Sequence, residues 1–552
     1  MCYKMLRETN WLFSTKKDTI DWPNWNASGL RLQPATKMPM IPLHLQPESH
    51  VPLYIQLRDQ IRALVHGGDL RPGARIPASR ELATQLGVHR TTVANAYAEL
   101  ESEGLISGHV GRGTFIRGDG DARKISVVPH PVSVDGGLRW ESLFADERGD
   151  DGLSRLTQMA PRGAISFVMA RPAPEFFPIE ELRKCTNAVW RREGAVILQF
   201  GPSDGYPSLK REIVAMLRSE GYSASDENLL ITDGCQQALD LICKAFLRAG
   251  DTVLIENPAY PGAVAAFGGA RARILCAPVR TETGPGQNPG IDVSAVEAVL
   301  LQNRVKMIVL TPDFQNPTGT TMPLAERRRL LEIAARYQVP IVEDHIYAQL
   351  RARGERAPSL KQLDRSNLVI QIDSFSKIAF PGLRVGWIVA PSNVIERLRL
   401  VKQTTDLHTG QLPQAILAEY MRRGHLGRHL ERTRKAYSGR LAALEQALTK
   451  HMPSESKWTR PEGGMCVWVE LPPGFDSNEL LIHVRERGVI FAPGRYFYFQ
   501  SPQPNTLRLG FAGVNEKEIA KGIAIMADVL RNEMRKRQRG ARRAEVPRVA
   551  LV

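Results

Sequence analysis

An α/β protein with a mainly parallel sheet, preceded by a small helix-turn-helix unit, is the fold class this sequence predicts. Three observations carry that expectation. From residue 163 to 530, short β-branched runs alternate with helical stretches, the rhythm of βαβ units whose helices cover both faces of a parallel sheet. Between 51 and 119, short helical patterns meet at Gly87 and lead into two strand-like triplets around Gly108–Gly113. Residues 120–162, rich in Gly, Asp, Pro and Ser, have the composition of a linker, with a short helical pattern at Trp140–Phe144.

The chain has 552 residues, 43% hydrophobic and 24% charged, the balance of a soluble globular protein. It has no apolar run of roughly 18 residues and no basic-then-apolar leader, so a cytoplasmic protein without a membrane span is expected. Six cysteines show neither CxxC nor ligand spacing, which predicts reduced thiols and no metal. The formal charge of +15 suits a polyanion partner. Yet 51–119 holds eight arginines against seven acids, so placement and not total charge must argue for DNA.

Residues 1–50 lack periodicity and read as a flexible leader, or as sequence preceding a start at Met38 or Met40. In 51–119, Tyr54, Leu57, Ile61, Leu64 and Val65 fall at helical spacing, and Gly67-Gly68 stops that helix. Leu70–Arg75 is a turn, and Ser79 caps a second helix with Leu82, Ala83 and Leu86 inward. After Gly87 a third helix carries Val93, Tyr97 and Leu100 on one face; Gly104 ends it, and Leu105–Ser107 and Thr114–Ile116 form a wing. Such a third helix lies in the major groove with its first residues at base edges. Those residues are His89, Arg90, Thr91, Thr92 and Asn95. Arg90 suits guanine and Asn95 a base edge. Arg80 suits phosphate, and Gly111 and Arg112 let the wing loop approach the minor groove. The partner is double-stranded operator DNA.

Within 163–530 the strand-like runs include Thr252–Glu256, Met307–Thr311, Pro340–Asp344, Leu368–Asp373 and Val385–Val389. The helical ones include Ser208–Glu220, Gln236–Arg248, Leu324–Tyr337 and Val394–Thr404. Residues 531–552, with eight Lys/Arg against two acids, read as a disordered basic tail that adds salt-sensitive DNA affinity.

The segment Ser374-Phe-Ser-Lys377-Ile-Ala-Phe-Pro-Gly-Leu-Arg384 sets one lysine in a loop of phosphate-binding residues just after a strand. A lysine amine forms a Schiff base with an aldehyde, while Ser374, Ser376 and Arg384 suit a phosphate. An aldehyde that carries a phosphate is pyridoxal 5′-phosphate (PLP). Its other needs are met in order along the chain. Asp344, ending a strand, suits the pyridine nitrogen; Asn316 and Tyr347 suit the ring 3′-oxygen; Tyr260 suits stacking on the ring. Gly234, Cys235 and Gln236 open an apolar helix whose N–H groups suit the phosphate, and Arg508 suits a substrate carboxylate.

Residues 51–119, through Pro52-Leu-Tyr, Leu70-Arg-Pro-Gly, Pro77-Ala-Ser-Arg-Glu-Leu-Ala and Leu86-Gly-Val-His-Arg-Thr-Thr-Val, resemble the GntR family of bacterial regulators. His89 departs from it, standing where that family usually has a Ser or Thr cap, a loss of about 1 kcal/mol. Gly201 with Gly205, Asn316-Pro-Thr-Gly, Asp344 with Tyr347, and Ser374-x-Ser-Lys with Arg384 resemble the fold type I aminotransferases of class I/II. That resemblance implies a seven-stranded sheet, a small α+β C-terminal subdomain and a homodimer. Phe200 stands where those enzymes commonly have a tyrosine reaching the neighbouring subunit's phosphate, a contact worth about 1 kcal/mol. The Asp344-His-Ile-Tyr347 spacing is closer to the stand-alone enzymes than to their regulator cousins.

The two resemblances on one chain match the MocR subfamily. They imply a PLP-dependent transcriptional regulator that senses an amine, an amino acid or PLP itself through the Lys377 imine. Two other readings stay open: a working aminotransferase with a vestigial DNA-binding unit, and a DNA-binding protein whose large unit serves only for dimerisation.

Overall fold

The structure is a computed structural model. It describes residues 53–66, 69–71, 73–102, 105–109, 113–116, 163–282 and 288–544, together with Leu43, Leu45 and Pro161. The linker 120–162 with its Trp140–Phe144 pattern, most of the leader, the tips Gly111 and Arg112, and the stop glycines 67, 68 and 104 lie outside the described residues. The chain divides into two units, 1–144 and 145–552.

In the first unit, apolar spacing decides which faces close together. Helix α1 (Leu53–His66) buries Leu57 and Ile61; α2 (Ser79–Leu86) buries Leu82 and Ala83; α3 (Arg90–Ser102) buries Val93, Ala96, Tyr97 and Leu100. Gly87 turns the chain between α2 and α3 in the left-handed region at φ 65°, where a side chain would be strained. Tyr97 Oη donates to Pro77 O at 2.8 Å and ties α3 to the approach of α2. Strands β2 (Ile106–His109) and β3 (Gly113–Ile116) form the expected wing. The expected turn before Ser79 instead contributes a further strand, β1 (Arg75–Ile76), which pairs with β3. Ser79 is the first helical residue of α2 rather than its cap. Ala78 holds the cap position, and its N–H donates to Glu81 Oε2 at 3.1 Å.

The second unit is built on one large sheet. Its strands are β5 (Leu229–Thr232), β6 (Thr252–Asn257), β7 (Arg273–Arg280), β8 (Gly290–Ile291), β9 (Val305–Leu310), β10 (Ile341–Asp344), β11 (Val369–Ser374) and β12 (Gly386–Val389). Their order is β5-β12-β11-β10-β9-β6-β7-β8. The sheet therefore has eight strands where seven were expected; the extra one is β8, two residues paired antiparallel to β7 at the edge. Strands β6, β7, β9, β10 and β11 run parallel, and β12 runs antiparallel between β11 and β5. β5 and β11 are buried along their whole length, the pattern of a sheet covered by helices; β5 is apolar almost throughout, whereas β11 also buries Gln371, Asp373 and Ser374.

Strands β13 (Lys457–Trp458), β14 (Cys466–Glu470), β16 (Ala492–Pro493) and β17 (Thr506–Gly510) make a smaller antiparallel sheet, the expected C-terminal subdomain. A separate pair, β4 (Ile165–Ser166) with β15 (Val489–Ile490), joins the start of the unit to it. The last helix runs Glu516–Ala544, so the boundary expected at 531 falls inside it. Its buried Ile519, Ile523, Met526, Ala527 and Leu530 anchor the first turns, and good helix formers extend it through Arg535–Arg543.

One fully buried ion pair braces the loop after β9. Arg327 donates to both oxygens of Asp313, at 3.0 and 2.8 Å, and to the carbonyl of Met322 at 2.9 Å. Burial alone would raise the Asp313 carboxyl; the charge and hydrogen bonds of Arg327, joined by the charges of His345 and Arg351, together outweigh it and hold the group below the ordinary carboxylate value. Such a group contributes stability above its unfolded pKa and loses it as pH falls through the lower folded pKa. Arg327→Leu leaves that buried carboxylate with the longer contact to Arg351, 3.4 Å away. The expected result is a loss of about 3–5 kcal/mol at neutral pH, read as a lower urea midpoint, that shrinks in acid. An unchanged midpoint would contradict the assignment.

Candidate functional site

The parallel strands end at one edge of the large sheet, and β12, running the other way, begins there. This edge is where open α/β sheets bind ligands. β5 delivers Gly234, β6 delivers Tyr260, β9 delivers Asn316, β10 ends at Asp344, and β11 leads into Lys377. Arg384 stands just before β12.

Ser374 caps the single turn Phe375–Ile378 by accepting from the Ser376 N–H at 3.0 Å. Its hydroxyl also lies 3.0 Å from Val385 O and 2.9 Å from Ser376 Oγ, and the residue is fully buried. The expectation that Ser374 offers its hydroxyl to a phosphate is therefore revised: that hydroxyl is spent inside the loop, where it orients Ser376. Arg384 takes a left-handed backbone conformation at φ 53° and brings its guanidinium to the same place. It donates to Ser376 Oγ at 3.3 Å and to Asp233 O at 2.8 Å.

The adjoining Gly234, at φ 88°, caps the helix Cys235–Phe246. A Cβ on it would stand 2.8 Å from Arg384 Nη2, so only glycine leaves this cradle open. The first-turn N–H groups of Cys235 and Gln236 have no intrahelical acceptor and carry the positive end of the helix dipole. Cys235 itself is buried and its thiol is pushed up well beyond the usual range, so its contribution is its backbone. Gln236 donates to Gly262 O at 3.0 Å and stands 3.4 Å from Tyr260 Oη.

Lys377 Nζ donates to Ala170 O at 2.7 Å and lies 5.9 Å from the Tyr347 ring centre. Burial, with the nearby Arg508 charge, lowers its amine to about 8. Asp344 goes the other way: burial, with the charge of Asp373, pushes its carboxyl up to about 7 against the Ile346 N–H, which donates to it at 3.2 Å. Arg508 donates to Asn316 Oδ1 at 2.7 Å and to the Val168 carbonyl, and stacks on Phe497. With its oxygen engaged, Asn316 has an NH₂ group to donate. Arg508 Nε is buried with no partner. Burial of Tyr347 keeps its phenol protonated, hence a donor.

This donor set fits a phosphorylated pyridine aldehyde. It offers an amine poised near neutrality, an acid at a strand end, two neutral donors, an aromatic face, and an arginine–serine–helix cradle for a dianion. Sequence reasoning missed the groups behind this layer. Gln237 and Asp406 brace the buried Lys402 beside the cradle, at 3.0 and 2.6 Å. His345 and Asp373 form a buried pair at 3.1 Å. The only signal for that pair was its adjacency to Asp344 and Ser374.

In the first unit, Arg80, His89, Arg90, Thr91 and Asn95 are exposed and Thr92 is partly so, the arrangement expected of a DNA-reading face. His89 still serves as a cap: its Nδ1 accepts from the Thr91 N–H at 3.5 Å and lies 2.8 Å from Thr91 Oγ1. The long backbone contact agrees with the weaker cap that imidazole was expected to make.

Residues 173–525 match the family aminotransferase class I and II, and residues 53–116 match the gntR family of bacterial regulatory proteins. The chain is 31% identical over 503 residues to the HTH-type transcriptional regulator TauR of Rhodobacter capsulatus, covering 90% of this chain and 100% of that one. It is 27% identical over 483 residues to the probable rhizopine catabolism regulatory protein MocR of Rhizobium meliloti, covering 87% and 94%. The crystal structure of LysN, the alpha-aminoadipate aminotransferase of Thermus thermophilus, complexed with N-(5′-phosphopyridoxyl)-L-leucine, is similar at a TM-score of 0.65 and 37% identity. It covers 72% of this chain and 99% of that one.

An amine at about 8 makes a testable rate law. Only the neutral amine attacks an aldehyde, so the rate of PLP uptake should rise with pH and reach half its maximum near 8. Stopped-flow absorbance of coenzyme-free protein checks this. A half-maximum near the ordinary lysine value of about 10.4 would contradict the buried environment.

Proposed function

Because the chain belongs to the aminotransferase class I and II family and carries a gntR-type winged helix ahead of it, we propose that it is a PLP-dependent transcriptional regulator of the MocR kind. The observation that carries this reading is the presence, on one chain, of an exposed recognition helix and a buried single-lysine cofactor site.

Each residue of the site has a task. Lys377 holds the cofactor through its amine. Asp344 holds the proton at the pyridine nitrogen. Asn316 and Tyr347 donate to the 3′-oxygen, and Tyr260 covers the ring face. Arg384, Ser376 and the N–H groups of Gly234, Cys235 and Gln236 hold the phosphate, with Ser374 as their brace. Arg508, whose side chain is buried and carries an orphaned Nε, binds the carboxylate of an amino-acid effector. PLP supplies an electrophilic carbon that primary amines can exchange onto. The effector is therefore a primary amine, an amino acid or PLP itself, and it alters DNA binding only through different affinities for two arrangements of the protein.

The operator is read by α3, with Arg90 at guanine, Asn95, Thr91, Thr92 and His89 at neighbouring positions, and Arg80 at phosphate. The reading includes a homodimer, which pairs two winged helices on a two-fold operator. The apolar run Val196, Leu198 and Phe200, exposed at 72%, 69% and 82%, is a surface suited to a second copy. Among the described residues no helix is long and apolar enough to cross a membrane.

The complete set of Lys377, Asp344, Tyr347 and Arg508 also favours a second reading, an active aminotransferase. Steady keto-acid formation from amino acids without specific DNA binding would establish it in place of the regulator.

Two substitutions test the regulator. Lys377→Ala should abolish the visible absorbance of the bound cofactor while the fold persists; unchanged absorbance would assign the cofactor to another lysine. Arg90→Ala should cost about 1–3 kcal/mol on operator DNA selected from genomic fragments, measured by fluorescence anisotropy. Equal affinity would place recognition elsewhere.

A further inference from the structure

The residue after Asp344 and the residue before Ser374 meet inside the protein. β10 and β11 are parallel neighbours with Asp344 opposite Ile372, and this register sets His345 against Asp373. His345 Nδ1 lies 3.1 Å from Asp373 Oδ2, and both side chains are buried. The other carboxylate oxygen, Oδ1, accepts from the Ser374 N–H at 2.7 Å.

The far side of the imidazole decides its charge. His345 Nε2 lies 3.5 Å from Tyr222 Oη. A phenol has one proton to give, and Tyr222 gives it to Ser359 Oγ at 2.9 Å. Tyr222 Oη also accepts from Gln371 Nε2 at 3.1 Å, so toward His345 it is an acceptor. Both ring nitrogens thus face acceptors, and a ring that donates from both is a cation. The surrounding charges agree. Asp373 acts on the ring from β11 and Glu343 from β10, and Asp344, the preceding residue, feels the charge of His345. Asp313 stands in the loop after β9, already bonded to Arg327 and Arg351. The Glu220–Arg356 pair lies beyond Tyr222 and Asp373. Burial alone would neutralise the imidazole; these carboxylates, Asp373 first among them, raise it instead.

We propose that His345, held as an imidazolium between Asp373 and Tyr222, is a positioning residue that favours the ionised form of Asp344 and ties its strand to the loop bearing Lys377. This rests on the PLP reading of the site. His345 offsets the negative charge of Asp373, which otherwise opposes ionisation of Asp344. Through Ser374, the same carboxylate anchors the start of the Lys377 turn.

The test is a pH titration of the visible absorbance of PLP-loaded protein. His345→Asn leaves Asp373 uncompensated, so the chromophore midpoint should rise by about one pH unit. The double variant His345→Asn/Asp373→Asn removes both charges and should bring the midpoint back toward that of the parent. A purely structural pair would lower thermal stability without this reversal. An unchanged midpoint in His345→Asn, with the borohydride-fixed adduct on Lys377 confirmed by mass, overturns the inference. Absence of that adduct from the parent overturns the PLP reading itself. Should His345→Asn fail to fold, ¹⁵N-histidine spectra of the parent decide. Two protonated ring nitrogens on His345 at pH 8 support the proposal, and a single neutral tautomer sinks it.

Discussion

A neutral amine has to sit beside a site built for a dianion and yet stay reactive near neutral pH. Burial of Lys377 meets that constraint, since it lowers the amine to about 8, and the remaining features of the site follow from it. A buried amine needs other groups to carry the positive charge a phosphate requires. Arg384 and the first turn of the Cys235–Phe246 helix carry it, at the same sheet edge but on separate elements. Asp344 at a strand end and Arg508 on the smaller sheet complete the site with one negative and one positive group, each shifted by burial toward its neutral form. The parallel sheet makes this convergence possible because its strands release their chains at one edge.

Much of this was legible from the sequence, for a physical reason. Asp344 ends a strand, Gly234 caps a helix, Lys377 lies in the turn that follows β11 and Asn316 in the loop after β9, and short-range patterns mark such junctions. The three helices of the first unit were legible because their apolar spacing is unambiguous. What escaped notice depends on long-range pairing. β1 exists only because Arg75 and Ile76 meet β3 some forty residues later. β8 is two residues hung on β7. His345 and Asp373 stand 28 residues apart, and neither is unusual alone. The last helix was cut short because a run of arginines reads as a solvated tail, although arginine is itself a good helix former. Ser374 was misread in another way: a hydroxyl in a phosphate loop can serve the loop rather than the phosphate, and only its bonds to Val385 and Ser376 tell which.

The two units match different families, and their combination gives the cofactor site a regulatory meaning. In an aminotransferase, the exchange of one amine for another at the lysine is a step toward product. On the reading proposed for this chain, the same exchange reports to the DNA-binding unit which amine is present. The chemistry asks nothing new of the fold. It asks only that the arrangements with and without effector differ in their affinity for DNA, typically by about 1–3 kcal/mol of coupling.

That coupling is reciprocal, and reciprocity offers the most direct measurement of the central claim. On one preparation of PLP-loaded protein, the affinity for selected operator DNA is measured with and without a saturating amine. The affinity for that amine is then measured with and without saturating operator. The account predicts that both ratios differ from one and are equal, and that Lys377→Ala brings both to one. Ratios of one for every primary amine, amino acid and PLP tried, with tight operator binding intact, would contradict it.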